Sequence, residues 1–321
     1  MHSPSLLHTA PSLCPPVLRA SGATHPGRLR TRNEDRFVCA PEHGLFMVID
    51  GVGGHRGGDV AADLAREVVC RHLLEHRIDE PDDVRLYRAL IAASRAIHRQ
   101  SRSNPEYLGM ACVLTVVLVH NGHATVGHVG DTRLYVIRPD EITKITRDHS
   151  VVGIREDRGE LDEWEAMLHP RRNEILRDLG SAWHDPGDEE FIDLYRFPFD
   201  PETALLLCTD GLTDLVPSDV LHRTTLEHAG HPERSVEALI ELANRAGGYD
   251  NITVVLAEGS RFAAPSTPAR ETPCPPPEAT SGPAPLPPFW PAVGTLLLVV
   301  LLWWFWITRG STPPPSTMLP P

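Results

Sequence analysis

The chain has 321 residues and a net charge of −13, from 43 acidic and 30 basic side chains. This length is enough for one large domain or two ordinary ones, each with a substantial core. The acidic balance argues against nucleic acid as the main partner, because phosphate backbones are bound by clustered lysine and arginine. Six scattered cysteines form no C-x-x-C pair, which disfavours a zinc ribbon or a disulfide framework and fits a reducing compartment.

The first part of the chain predicts a mixture of strands and helices. Residues 45–49 form a short apolar strand, and helical spacing of apolar residues follows over 59–76 and 84–98. Further apolar strands are predicted at residues 113–119, 124–129, 134–137, 142–145, 204–208 and 252–257. An Asn-Gly pair at 121–122 marks a hairpin turn, and a helix over 236–246 ends at a glycine pair. Hairpin-linked strands with grouped helices predict an α+β layered domain, not a β-α-β repeat.

The composition changes sharply after Glu258. More than half of the 31 prolines lie beyond this residue, and residues 259–288 are typical of an extended, semi-rigid linker. Residues 289–307 carry no charge, and a helix of this length spans roughly 28 Å, close to the hydrocarbon core of a bilayer. Tryptophans near both ends suit the two membrane interfaces. A buried core helix is a weak alternative, because the linker separates this run from any core.

We therefore expect five segments along the chain. They are a flexible arm at 1–20, a folded domain at 21–258, the linker at 259–288, a transmembrane helix at 289–308 and a short tail at 309–321. The N-terminus lacks the basic and apolar regions of a signal peptide, so the folded domain is expected in the cytoplasm. The prediction is a single-pass, tail-anchored protein of the cell membrane.

Acidic side chains repeatedly occupy the ends of the predicted strands. They are Glu34 with Asp35, Asp50, Asp131, Asp210 and Asp250. A lone Asp-Gly pair is more often a turn, but several such sites at strand ends are harder to explain in this way. Converging buried carboxylates repel one another unless cations neutralise them. Oxygen ligands suit Mg²⁺ or Mn²⁺, whereas no set of His or Cys residues is comparably placed for zinc.

The glycine-rich stretch at 51–58 invites a second interpretation, since it follows a strand and precedes a helix. A dinucleotide site has this arrangement, with the motif G-x-G-x-x-G. Here Arg56 stands where the third glycine of that motif belongs, so the dinucleotide interpretation is disfavoured.

Five short motifs in a fixed order resemble those of the type 2C metal-dependent protein phosphatase (PPM) family, particularly its bacterial members. They are R-T-R-N-E-D at 30–35, D-G-V-G-G-H at 50–55, V-G-D-T-R at 129–133, T-D-G-L at 209–212 and D-N-I-T at 250–253. The sequence I-T-R-D-H-S at 145–150 is a supporting match. The resemblance covers about residues 21–258. It implies a four-layer α-β-β-α sandwich of two antiparallel sheets flanked by helices.

The resemblance also implies a centre of two Mn²⁺ or Mg²⁺ ions. By motif, Asp50 bridges the ions and the Gly51 carbonyl binds one of them. Asp210 and Asp250 complete the shell of the first ion, and Glu34 and Asp35 support the centre, mostly through metal-bound water. Asp131, together with Asp210, resembles a third-metal site. Arg30 binds the substrate phosphate. A guanidinium can bond two phosphate oxygens at once. Two ions deliver a bridging hydroxide to phosphorus and offset phosphoryl charge, so no covalent phosphoenzyme is needed.

The chain departs from the family pattern in two places. Val52 stands where some members have a histidine proposed as general acid, so the leaving-group proton must come from water or another histidine; His55 is nearby in sequence. Met110 and Cys112 lie where the family usually has Ser or Thr, which predicts altered packing near the site without loss of activity. Residues 151–168 correspond to the family's variable flap.

We predict a membrane-anchored phosphatase that hydrolyses phosphoserine and phosphothreonine in proteins and opposes a bacterial Ser/Thr kinase, the latter by family analogy alone. The expected partners are phosphoprotein substrates, a Ser/Thr protein kinase and the membrane, without nucleic acid. The alternative is a catalytically inactive phosphatase-fold protein that serves as a membrane scaffold or sensor. Loss of Asp50, Asp210 or Asp250 would have favoured it, and all three are present. A phosphatase dedicated to one regulatory protein is a further alternative.

Overall fold

The computed structural model describes residues 18–53, 57–75, 80–188 and 190–263. The strands in these ranges are β1 Arg19–His25, β2 Arg36–Ala40, β3 Leu45–Val52, β4 Ala111–His120, β5 His123–Val129, β6 Arg133–Ile137, β7 Ile142–Lys144, β8 Asp193–Pro198, β9 Ala204–Cys208 and β10 Ile252–Glu258. The α-helices are α1 Gly58–Cys70, α2 Asp82–Ser103, α3 Val151–Asp157, α4 Glu163–Met167, α5 Asp210–Thr213, α6 Ser218–Glu227 and α7 Pro232–Arg245. A π-helical turn, Arg71–Glu75, continues α1.

The strands form two five-stranded sheets in which neighbouring strands are antiparallel. Sheet 1 has the order β1-β10-β9-β6-β7, and sheet 2 has the order β2-β3-β4-β5-β8. In sheet 1 the first and last strands of the domain pair along their whole length, with Arg19 opposite Glu258. The chain passes from sheet 2 to sheet 1 between β5 and β6, so the two sheets are interleaved in sequence.

The strongly apolar strands are buried on both faces, which explains why they lack the alternation of a half-exposed strand. In β3, Leu45, Met47 and Ile49 pack in one core with α1 and α2. The alternate residues, Phe46 and Val48, belong to a second core between the two sheets. A third core joins the outer face of sheet 1 to helices α5, α6 and α7. The predicted α-β-β-α arrangement of two antiparallel sheets flanked by helices is confirmed.

Phe46 illustrates how much the core between the two sheets contributes to the stability of the fold. Its side chain is fully buried between residues of both sheets. Burial of one such side chain stabilises the fold by about 1.5–3 kcal/mol, and truncation to alanine costs about 3–5 kcal/mol because a cavity remains. This core holds the two sheets in a fixed relation, and the candidate site lies at one end of both.

Two expected boundaries of the folded domain are wrong by a few residues. Arg19 and Ala20 were expected in the flexible arm, but they belong to β1, where they pair with the end of β10. The first residues of the expected linker, 259–262, pack against the folded domain. Gly259 N–H donates to the Thr203 carbonyl at 2.8 Å, and the Phe262 side chain is 2 % exposed. The helix expected over residues 59–76 is α-helical only to Cys70.

The predicted transmembrane helix at 289–308 lies outside the described residues, as do the tail and most of the predicted linker and arm. None of the helices in the described ranges has the length and apolar character needed to cross a bilayer.

Candidate metal centre

The predicted metal ligands gather at one end of the two-sheet sandwich. Sheet 2 supplies Asp35, just before β2, and Asp50, near the end of β3. Sheet 1 supplies Asp210, just after β9, and Asp250, just before β10. Asp131 lies in the turn between β5 and β6, where the chain crosses from one sheet to the other. The site is therefore assembled from both sheets.

These carboxylates lie close enough for the charge of one to raise the pKa of another. Burial raises the pKa of Asp50 well above its usual value, and the charges of Asp35 and Asp210 raise it further. Burial and the charge of Asp131 do the same to the pKa of Asp210. A carboxylate with a raised pKa gains free energy from positive charge, whether a proton or a cation. The cluster as a whole therefore favours the uptake of cations.

Asp35 is held by two threonine hydroxyl groups from sheet 1. Its Oδ2 accepts hydrogen bonds from Thr253 Oγ1 at 2.6 Å and from Thr209 Oγ1 at 2.9 Å. Burial nevertheless raises the pKa of Asp35 to about 7. Its Oδ1 is buried with no hydrogen-bond partner, and the same is true of Oδ1 of Asp210. Buried acceptors in this state require a donor or a cation, because leaving them unpaired is costly.

Two glycines keep an oxygen-lined cradle open beside Asp50. A Cβ atom on Gly58 would lie 2.7 Å from the carbonyl oxygen of Gly51 and 2.6 Å from Oε2 of Glu34. A Cβ atom on Gly51 would lie 2.3 Å from the carbonyl oxygen of Gly58. Burial and the nearby Asp59 raise the pKa of Glu34. Glycine at both positions therefore allows the Gly51 carbonyl, a predicted ligand, to lie beside the Glu34 carboxylate.

Asn251 connects the loop that carries Arg30 and Glu34 to the start of β10. Its Oδ1 accepts from Glu34 N–H at 2.8 Å, and its Nδ2 donates to the carbonyls of Pro26 at 3.0 Å and Arg32 at 2.9 Å. The Asn251 backbone lies close to Gly211, where a Cβ atom would lie 2.0 Å from the Asn251 carbonyl oxygen. The glycine therefore allows the segments that carry Asp210 and Asp250 to lie next to each other.

Arg30, the predicted phosphate ligand, lies at the rim of the cluster. Its Nη2 donates to Oδ2 of Asp250 at 2.6 Å, and about half of its side chain is exposed. A guanidinium has five N–H donors, so this bond leaves others for a bound anion. The structure thus places Arg30 beside Asp250, one of the predicted metal ligands.

The Asp131 turn borders a narrow cleft between the core and the flap. The cleft is lined by Asp131, Asp148, Asp210 and Asp214, with Arg172 and flap residues Val152, Ala166 and Met167. Burial and the charge of Asp148 raise the pKa of Asp131 to about 7. The predicted flap forms α3 and α4, and the carboxylate of Glu163 at the start of α4 accepts from both N–H and Oγ of Ser218, each at 2.8 Å.

Several functional candidates were not predicted. Asp214 lies one helical turn after Asp210; burial raises its pKa, although Arg172 donates to it at 2.7 Å and opposes this shift. The D-x-x-x-D spacing from a predicted ligand is a signal that could have indicated it. Thr209 and Asn251 are each adjacent to a predicted ligand, and Thr253 lies three residues after Asp250. Only the tertiary structure shows that these side chains bond to Asp35 and Glu34.

The residues that depart from the family pattern lie close to the site. Met110 is fully buried and packs on the glycine-rich loop, since a Cβ atom on Gly57 would lie 3.0 Å from its Cβ. Cys112 pairs with Gly51 across β3 and β4, and burial raises the pKa of its thiol well above the usual value. His55 lies outside the described residues.

Within the described ranges, no three His, Cys, Asp or Glu side chains are arranged to hold a metal ion by themselves. The predicted shell does not require such a trio, because it includes the Gly51 carbonyl and side chains that act through water. The donors are all oxygen atoms, two of them are buried carboxylate oxygens without a partner, and neighbouring charges raise the pKa of their groups. This donor set fits a hard divalent cation such as Mn²⁺ or Mg²⁺.

Comparison with known proteins gives consistent matches over the described domain. The family model for protein phosphatase 2C matches residues 22–253. The serine/threonine phosphatase stp of Listeria innocua is 32 % identical over 247 residues, which is 75 % of this chain and 96 % of that protein. The crystal structure of the Mycobacterium tuberculosis serine/threonine phosphatase PstP/Ppp is similar with a TM-score of 0.68 and 32 % identity, over 76 % of this chain and 99 % of the other. The catalytic domain of PstP in complex with two manganese ions is similar with a TM-score of 0.65 and 32 % identity, over 75 % of this chain and 98 % of the other.

Proposed function

The chain belongs to the protein phosphatase 2C family, and we propose that it hydrolyses phosphoserine and phosphothreonine in proteins with Mn²⁺ or Mg²⁺ as cofactor. It is a protein-serine/threonine phosphatase. The observation that carries this function is the convergence of Asp50, Asp210 and Asp250 at one end of the sandwich, where burial and neighbouring charges raise the pKa of Asp50 and of Asp210 and where Oδ1 of Asp210 has no hydrogen-bond partner. An inactive scaffold would not need to maintain so costly a cluster of buried charge.

The protein's own residues have three tasks in this reaction: they hold the ions, they support the ion ligands, and they bind the substrate phosphate. Asp50, Asp210, Asp250 and the Gly51 carbonyl would hold the ions. When bound, Mn²⁺ or Mg²⁺ makes water more acidic and offsets the charge of the phosphoryl group. Asp35 is fixed by its two threonine bonds and adds negative charge behind the ligands.

Arg30 would bind the phosphate and orient it toward the cluster. Its place at the rim, beside Asp250, suits this task, because a planar guanidinium can bond two phosphoryl oxygens. The Asn251 clamp holds the loop that carries it. Val52 has no proton to give, so the proton for the leaving serine or threonine oxygen is drawn from water or from another group.

The proposal also covers where the protein is located in the cell and which class of enzyme it opposes. We propose that residues 289–308 anchor the chain in the cell membrane, with the catalytic domain in the cytoplasm, where it reverses phosphorylation by a Ser/Thr protein kinase. The uncharged run at 289–307 and the proline-rich linker before it support this arrangement. Anchoring would raise the effective concentration near membrane-bound substrates, and the linker would give the domain reach. Recovery of the chain in the soluble fraction after cell lysis would contradict it.

A single experiment tests the catalytic proposal. The full-length chain in detergent is given a phosphothreonine peptide with Mn²⁺, Mg²⁺ or a chelator, beside Asp210→Asn and the matched control Asp219→Asn. Asp219 is an exposed aspartate on α6. We expect metal-dependent turnover that falls by about a hundredfold in Asp210→Asn and is unchanged in Asp219→Asn. A folded wild-type chain with no turnover under any metal would favour the scaffold alternative.

A further inference from the structure

The turn that carries Asp131 is fixed by a buried histidine from another part of the chain. Gly130 N–H donates to Nδ1 of His149 at 3.1 Å, and the backbone N–H of His149 donates to the Gly130 carbonyl at 2.7 Å. Gly130 has a φ of +108°, and His149 is 7 % exposed. We infer that His149 is a positioning residue that holds Asp131 in place for cation binding through its bond to Gly130. This inference rests on the proposed function, because it assigns Asp131 a cation.

The two contacts of the His149 ring define its tautomer. Nδ1 accepts a hydrogen bond from a backbone amide, so a neutral ring carries its own proton on Nε2. Nε2 lies 3.3 Å from Oδ2 of Asp193, which can accept a hydrogen bond from Nε2–H. Arg177 Nη1 lies 3.2 Å from Nε2 but also 3.1 Å from Oδ1 of Asp193, and its charge pairs with this carboxylate. Asp193 thus orients the ring so that Nδ1 faces Gly130.

A second set of hydrogen bonds fixes the other side of the turn, through His128, whose ring also packs against that of His149 with centroids 4.8 Å apart. Thr132 follows Asp131, and its Oγ1 lies 2.8 Å from Oγ1 of Thr115 in β4. Thr115 in turn bonds to Nδ1 of His128 at 2.9 Å, and His128 Nε2 donates to the Arg147 carbonyl at 3.0 Å. The residue after Asp131 is therefore anchored to sheet 2.

At Gly130 itself, the His149 ring supplies the hydrogen-bond acceptor and the Val113 side chain packs against the backbone. A Cβ atom on Gly130 would lie 2.2 Å from Val113, so the backbone is already packed against β4 in this direction. Loss of the Nδ1 acceptor would leave the buried Gly130 N–H without a partner and favour rotation of the Val129–Gly130 peptide, one residue before Asp131. The predicted result is a displaced carboxylate and weaker cation binding.

Two substitutions at His149 distinguish the role of Nδ1 from the role of Nε2. In His149→Asn the amide oxygen can take the place of Nδ1 and keep the acceptor for Gly130. In His149→Gln the amide nitrogen can take the place of Nε2 and keep the bond to Asp193, while the acceptor for Gly130 is lost. The full-length chain in detergent is used for wild type and both variants, and thermal melts confirm that each is folded.

Two readouts are independent of turnover. The first is hydrogen exchange of the Gly130 amide in the presence of chelator, and the second is calorimetric titration with Mn²⁺ alone. We expect His149→Gln to exchange Gly130 at least tenfold faster and to bind the weakest Mn²⁺ about tenfold less tightly, with His149→Asn close to wild type. Equal behaviour of the two variants in both readouts would overturn the inference.

A second variant covers the case in which His149→Gln does not fold. Asp193→Ala removes a partly exposed side chain from the edge strand β8 and leaves His149 in place. Without this acceptor the ring can carry its proton on Nδ1, so we expect a smaller change in the same direction for both readouts. An unchanged Gly130 amide and Mn²⁺ titration in Asp193→Ala would overturn the role of the tautomer. Failure of the phosphatase proposal would instead appear as a wild-type chain that binds Mn²⁺ without turnover.

Discussion

Asn251→Ala would remove the clamp between the substrate-side loop and β10. The Asn251 side chain is 6 % exposed and makes three hydrogen bonds to backbone groups of residues 26, 32 and 34. Alanine makes none of them and leaves one backbone N–H and two carbonyls to find new partners. We expect the loop that carries Arg30 to lose its fixed position while the metal ligands on β3 remain in place.

The size of the effect follows from those three bonds. A hydrogen bond contributes about 0.5–1.5 kcal/mol net, so the variant should lose about 2–4 kcal/mol of unfolding free energy. For a domain of this size, 1 kcal/mol shifts the melting temperature by about 2–4 °C, which gives a fall of about 5–15 °C. Because Arg30 contacts the phosphate in the proposed mechanism, KM for a phosphopeptide should rise more than kcat falls.

The assay combines thermal melting with steady-state kinetics on the full-length chain. Asn104→Ala is the matched control, since the Asn104 side chain accepts one hydrogen bond, from Glu106 N–H at 3.0 Å, and caps a short helical turn. Its loss should cost about 1 kcal/mol and leave KM unchanged. If Asn251→Ala melted within 2 °C of wild type at the same KM, the role given to this clamp would be refuted.

Three further outcomes are expected. Gly58→Ala would place a methyl group 2.7 Å from the Gly51 carbonyl and should weaken Mn²⁺ binding by tenfold or more in calorimetry; Gly187→Ala, with no atom within 4 Å of the new methyl group, should not. Burial lowers the pKa of His128 from 6.5 to about 4, so the neutral ring stabilises the fold above pH 6.5 and this contribution, up to about 3 kcal/mol, is lost as pH falls toward 4. His128→Gln should therefore flatten the pH dependence of chemical denaturation between pH 6.5 and 4, and a parallel curve would contradict this. Glu163→Ala should increase hydrogen exchange in the flap with a loss below about 1 kcal/mol in stability, because its bonds to α6 are partly exposed; unchanged exchange would show that this contact does not hold the flap.

The strands of the core were predictable from sequence because both of their faces are buried. In residues 45–49 of β3 and throughout β9 every residue is apolar, so the run itself is the signal. β1 was not predicted, since its small and polar residues show no such run and its pairing partner, β10, is more than 200 residues away. The edge strand β8 alternates between exposed and half-buried residues, and the exposed Leu194 obscures its pattern.

The carboxylates of the candidate site were predictable from the sequence, but the residues that support them were not. Asp50, Asp210 and Asp250 stand out because each is a charge at the end of an apolar strand. Thr209, Thr253 and His149 do not stand out from their neighbours in the sequence. They support the site through contacts with residues far away in the chain, such as the hydrogen bond from Thr253 to Asp35. Only the pairing of strands from the two sheets brings those atoms together.

The pairing of β1 with β10 has a consequence during synthesis. The first strand of the domain finds its partner in the last one, and Asp250 leaves the ribosome only just before β10. A nascent chain therefore holds Asp35 and Asp50 for most of its translation without the opposite half of the centre. Contacts of such high sequence separation form late in folding. We expect the nascent chain to be inactive until residue 258 has emerged from the ribosome, and then to acquire activity in one step as the sheet closes.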